Sequence, residues 1–135
     1  MPLTLTWVKD LQFVADDGAG HGMVIESKKD GAPAGFAPMQ LLLVAAAGCM
    51  AMDAVSILKK KRLPLREFTV TVEGDKADLH PKRFTEMRFV YTAVGDIPKG
   101  DLDEAIRLSE EKYCSVSATI KNAPRMVIES RVVEG

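Results

Sequence analysis

Residues 38–62 read PMQLLLVAAAGCMAMDAVSILKKKR, and this stretch decides the fold. A proline suits a first helical position, because its missing N–H would be unpaired there anyway. Pro64 forbids continuation past the far end. The stretch therefore predicts one long helix from Pro38 to about Arg62. Residues 41–52 are apolar on every side, and a helix that is apolar all round is buried all round. The second half ends in Lys59-Lys60-Lys61-Arg62. Basic residues in a last turn suit the helix dipole, so the run reads as an exposed helix end rather than a nucleic-acid patch. The apolar run itself falls short of the roughly 20 residues of a membrane span, so no membrane association is expected.

Strands flank this helix on both sides. Upstream, Leu3, Leu5 and Trp7 alternate with Thr4 and Thr6, and Leu11, Phe13 and Ala15 repeat the pattern, which predicts a hairpin. Residues 16–20 (DDGAG) form a turn, because glycine and aspartate tolerate the backbone angles of a reversal. Residues 22–27 make a third strand, and residues 28–37 a loop rich in Gly, Pro and charge. Downstream, Phe68, Val70 and Val72 alternate with Thr69, Thr71 and Glu73. Met87, Phe89, Tyr91 and Ala93 alternate with Arg88, Val90, Thr92 and Val94. Asp101 and Glu104 resemble a capping box. Leu102, Ala105, Ile106, Ser109 and Tyr113 then share one helical face, which predicts Tyr113 in the core. A short helix over 115–121 and a last strand over 126–133 complete the chain.

The order is strands, long helix, strands, helices, strand: an α+β chain forming one domain over residues 1–135. One small sheet covers only one side of the long helix, so the pattern requires a second subunit, a homodimer. The whole is 135 residues with 47% apolar and 27% charged residues, long enough for a core without staples and too apolar for disorder. A formal net charge of −1 lacks the basic footprint of a nucleic-acid binder and points to small molecules or protein partners. The first residues, MPLTLTWVK, do not read as a signal peptide, and a cytoplasmic, reducing compartment is expected.

The chemistry falls on two cysteines, Cys49 and Cys114. No CxxC or HxxxH pair is present, so no metal site is expected. Either both cysteines are small buried hydrophobes, or they form a redox pair. Cys114 precedes Ser115-Val116-Ser117, where free N–H groups of a new helix would lower a thiol pKa.

Three runs carry a resemblance: PMQLLL at 38–43 with AGC at 47–49 and DAVSILKKKR at 53–62; AIRLSEEKYCSVS at 105–117; and WVKDLQFV at 7–14 with Gly20-His21. Together they resemble the OsmC/Ohr family, that is, osmotically inducible protein C and the organic hydroperoxide resistance proteins, and within it a less studied OsmC-like subgroup. The resemblance implies an OsmC-like fold, an intertwined homodimer with its central helices packed between sheets and two active sites at the subunit interface. It implies thiol peroxidase chemistry, with Cys49 peroxidatic and Cys114 resolving, in oxidative stress defence. It implies no bound cofactor, only an external dithiol reductant. The apolar residues Leu42, Ala45, Ala46 and Met52 would suit an organic peroxide.

The chain departs from the best characterised members. It has no Arg before Arg62 to pair with a peroxidatic thiolate, and Met39 and Gln40 stand where an acidic residue stands in the family or the subgroup. A buried Cys49 without a cationic partner is expected to be a slow nucleophile at neutral pH. Auxiliary candidates are His21 (cation, base or surface loop residue), Gln40, Asp53 (base or structural residue, four positions after Cys49 on one helical face) and Glu111 (one turn before Cys114, or an exposed helix carboxylate). Two functions follow. One is a two-cysteine peroxidase of organic hydroperoxides. The other is a non-enzymatic protein of the same fold that binds an apolar or thiol-reactive small molecule, its cysteines serving as pocket lining or redox sensor.

Overall fold

A computed structural model describes residues 2–134. The chain divides into two compact units, one of residues up to 48 together with 69–92, the other of residues 49–68 together with 93–134. The elements follow the α+β order, with β1 at Thr4–Lys9, β2 at Gln12–Asp16, β3 at Gly22–Glu26 and the helix α1 at Pro38–Lys60. After it come β4 at Leu65–Lys76, β5 at Phe84–Gly95, α2 at Lys99–Leu108, a π-helical turn at Ser109–Tyr113 and α3 at Ser115–Lys121.

In the first unit β1, β2 and β3 form an antiparallel sheet, with Trp7 opposite Phe13 and Phe13 opposite Ile25. The loop after β3 returns to that sheet. Glu26 is buried and accepts from the Gln12 amide at 2.7 Å and the Ala34 N–H at 3.1 Å. Gly35 lies so close to β3 that a Cβ there would sit 1.9 Å from the Val24 carbonyl oxygen. At the start of α1, Gln40 Oε1 accepts from the Ala37 N–H at 2.9 Å. This is the returning half of a capping box, made by the third helical residue.

In the second unit Ala54 and Leu58 of α1 pack with Ala105 of α2, all three fully buried, and Leu63, Phe68, Ile97 and Leu102 surround them. The end of α1 is a Schellman motif built without glycine. Arg62 takes a φ of 58°, its N–H reaches the Lys59 carbonyl at 2.9 Å, and the Leu63 N–H reaches the Leu58 carbonyl at 3.2 Å. Leu63 then packs on the cluster that contains Leu58, the apolar contact this motif favours. Lys59, Lys60, Lys61 and Arg62 are exposed, as a solvated helix end requires.

Several expectations change. Asp101 is no N-cap: α2 starts behind Pro98 with no side-chain cap. The carboxylates of Asp101 and Glu104 instead hold Lys61 Nζ at 2.9 and 3.2 Å, tying the end of α1 to α2. Within the single chain the stretch 41–52 is covered only in part, and the all-round burial expected of it depends on a second subunit. Ala46, Ala47 and Met50 are buried, whereas Leu42, Val44 and Met52 are exposed. At 23 residues α1 is, by length and composition, long and apolar enough to cross a membrane, although residues 41–52 alone are not. Ala54 and Leu58 are nevertheless enclosed by protein. Residues 123–134 carry no regular secondary structure, so the final strand does not form. A strand needs a neighbouring edge to pair its N–H and C=O groups. Among the described residues the named sheets are β1-β2-β3 and β4-β5 only, and Met126, Ile128 and Val132 stand in solvent.

Candidate functional site

The π-helical turn sets the geometry of the site. Its wide winding closes with the Cys114 N–H on the Ser109 carbonyl at 2.8 Å, and Cys114 leaves the helical region at φ −74°, ψ 103°. The chain restarts at once as α3, with Cys114 as its N-cap and the Ser117 N–H on Sγ at 3.3 Å. Cys114 is thus turned inward and buried. The same rewinding puts Tyr113 out of phase with the buried face. Tyr113 is exposed under Lys112, whose Nζ lies 5.4 Å from the ring centre, which corrects the expectation of a core tyrosine.

Cys49 and Asp53 lie four residues apart on α1, both half-buried. The sulfurs of Cys49 and Cys114 and a carboxylate oxygen of Asp53 all lie within 4.8 Å of one another. Asp53 is held from behind. The hydroxyl of Ser109, itself fully buried, lies 2.9 Å from Asp53 Oδ2 as donor and 3.4 Å from the Met50 carbonyl. A cleft of about 490 Å³ opens beside Asp53, lined also by Ser56, Lys60, Glu104, Leu108 and Tyr113.

Burial pushes the Cys114 thiol above its ordinary pKa, and the neighbouring Cys49 thiol adds to that rise. The Ser117 and Val116 N–H groups oppose it without overcoming it. The expectation that a helix start lowers this pKa is therefore corrected. α3 has only seven residues, and removal of water around the sulfur outweighs two N–H groups.

The other candidates have different partners. His21 is exposed, and its Nδ1 lies 2.7 Å from Asp17 Oδ2. Gln40 caps α1. Glu111 is exposed and pairs with Arg107 at 3.3 Å. Ser109 was placed by its spacing on the buried helical face, but nothing in the sequence links it to Asp53, which stands 56 positions earlier.

A three-stranded sheet, a long helix and a cysteine from that helix beside a cysteine at a helix restart define a class of two-cysteine α+β proteins. The chain belongs to the OsmC-like protein family, whose model matches residues 29–129. It is 32% identical to Protein YhfA of Escherichia coli (strain K12), over 98% of each chain. A solved structure of a protein from Aquifex aeolicus VF5 shares 33% identity and superposes with a TM-score of 0.80, over 90% of this chain and 87% of that one. The organic hydroperoxide resistance protein OhrB of Bacillus subtilis shares the fold, with a TM-score of 0.62 at 17% identity over 91% of this chain and 93% of that one.

Proposed function

We propose that this protein is a thiol peroxidase that reduces organic hydroperoxides through Cys49 and Cys114. The observation that carries this reading is the approach of the two thiols to within 4.8 Å, on a fold shared with hydroperoxide resistance proteins. Cys49 is the more accessible of the two and takes the peroxidatic role. Its thiolate attacks the terminal oxygen of R–O–OH, the O–O bond breaks, the alkoxide takes a proton to leave as alcohol, and Cys49 becomes a sulfenic acid. The Cys114 sulfur then displaces the sulfenic oxygen as water and forms a disulfide. An external dithiol restores both thiols by exchange and is itself oxidised. Met52 is exposed and lies three residues after Cys49 on α1. That apolar approach favours organic peroxides over hydrogen peroxide.

The exposed apolar residues of α1 and of residues 126–133 support a homodimer in which a second copy covers them. We place the protein in the cytoplasm, where dithiol reductants are available. The test is consumption of cumene hydroperoxide and of hydrogen peroxide with a dithiol reductant. Turnover should be faster with the organic peroxide, and Cys49→Ser should abolish it. In Cys114→Ser, one equivalent of peroxide should leave a trappable sulfenic acid on Cys49. A protein that forms the disulfide once yet shows no turnover would overturn the enzyme in favour of a redox sensor.

A further inference from the structure

The cysteines and Asp53 also make a donor set that the peroxidase cycle does not use. We propose that Cys49, Asp53 and Cys114 together form a three-donor site for a thiophilic divalent cation of the zinc type, with its fourth position open to solvent. Two sulfurs and a carboxylate oxygen suit such a cation by type and number, since catalytic-type zinc sites take three protein donors and keep one position free. Arms of about 2.3 Å at a tetrahedral angle put two sulfurs roughly 3.8 Å apart. The donors already lie within 4.8 Å of one another, so an ion needs an inward movement of no more than about 1 Å.

The supporting shell is in place. The buried Ser109 hydroxyl orients Asp53 from behind, and the Ser117 N–H already points at Cys114 Sγ. Such outer contacts fix ligand geometry and favour the anionic form of the ligand. Cys49 and Asp53 are half-buried, which leaves the fourth position accessible, and a cleft opens at Asp53. The sequence conceals this site, because the third donor lies 65 positions beyond the first. Binding is balanced by release of two protons: the aqueous cation displaces one from each thiol, and the carboxylate enters as it stands. The ion and the disulfide are mutually exclusive, because each requires both sulfurs. On the peroxidase reading, which this consequence rests on, a bound ion withholds both thiolates from peroxide and acts as an inhibitor.

The experiment uses the full-length reduced protein and no peroxide. Cobalt(II) serves as the spectroscopic probe, and zinc is titrated against a chromophoric chelator. One ion per chain is expected, with thiolate-to-cobalt charge-transfer absorption and the intense visible bands of a tetrahedral site. Cys49→Ser, Cys114→Ser and Asp53→Asn should each abolish those bands, and so should prior oxidation to the disulfide. Ser109→Ala should bind zinc roughly 10- to 100-fold more weakly. Absence of the thiolate-to-cobalt absorption, or equal binding by Cys49→Ser, overturns the site. Equal binding by Asp53→Asn also overturns it, because the donor set would then be the two sulfurs alone. Circular dichroism of each variant identifies any that does not fold, and the oxidised wild type supplies the same comparison without a substitution. Peroxide turnover is measured separately: ion binding without turnover refutes only the peroxidase, and turnover without ion binding refutes only the metal site.

Discussion

Ser109 is fully buried and its hydroxyl serves the Asp53 carboxylate. Removing it leaves a charged acceptor short of its donor, so Ser109→Ala should lower stability by about 2 kcal/mol, the value of a hydrogen bond to a charged group. Urea unfolding at pH 7 measures it, and a loss under about 0.5 kcal/mol would show that Asp53 finds water instead. A second residue titrates. The Ala34 N–H, then the Gln12 amide, hold the Glu26 carboxyl below its ordinary value of 4.5, against the effect of burial. In acid the unfolded chain therefore binds a proton before the folded one does. The stabilisation is complete above the unfolded value and is lost as pH falls through the lower folded value. Glu26→Gln should melt below the wild type at pH 7, and the gap should narrow toward pH 3. A gap independent of pH would contradict this account.

Among the elements, the loop that joins β3 to α1 depends on Gly35. A methyl group there meets backbone at 1.9 Å, and backbone has no rotamer with which to give way. Gly35→Ala should cost about 2 kcal/mol or more by thermal or chemical unfolding, and a neutral result would mean that this loop shifts at no cost. The end of α1 makes the opposite case. Arg62 occupies the left-handed region, where a Cβ is strained, at the position where Schellman motifs favour glycine. Arg62→Gly should stabilise by roughly 0.5–1 kcal/mol and Arg62→Val should destabilise. The two melting temperatures, compared with the wild type, decide it.

For the whole molecule, the large apolar side chains left in water set the expectation. Met52 is 76% exposed and Ile128 82%, two of many large apolar side chains left in water by the single chain. If a second copy covers them, sedimentation at micromolar concentration should give twice the chain mass of 14.7 kDa. Met52→Glu and Ile128→Glu should shift that mass toward the single chain and lower the melting temperature. A wild type that sediments as a stable folded monomer would overturn the homodimer.

What the sequence determined by itself is what local physics controls. Pro38 at a first helical position, the long apolar run after it and the stop at Pro64 placed α1, and alternation placed β1, β2, β3, β4 and β5 to within a few residues. The Cys114-Ser115 junction marked the restart of a helix. The three signature runs named the family. What only the tertiary structure decided is where distant segments meet and what water leaves when they do. Cys49, Asp53, Ser109 and Cys114 form one site because α1 and the π-helical turn converge, and no local rule encodes that convergence. The Cys114 thiol is raised rather than lowered, because burial depends on every neighbour and the helix start on only two N–H groups. Residues 126–133 alternate like a strand, yet alternation supplies only a face. A strand also needs an edge to pair with, and that edge must come from tertiary or quaternary structure.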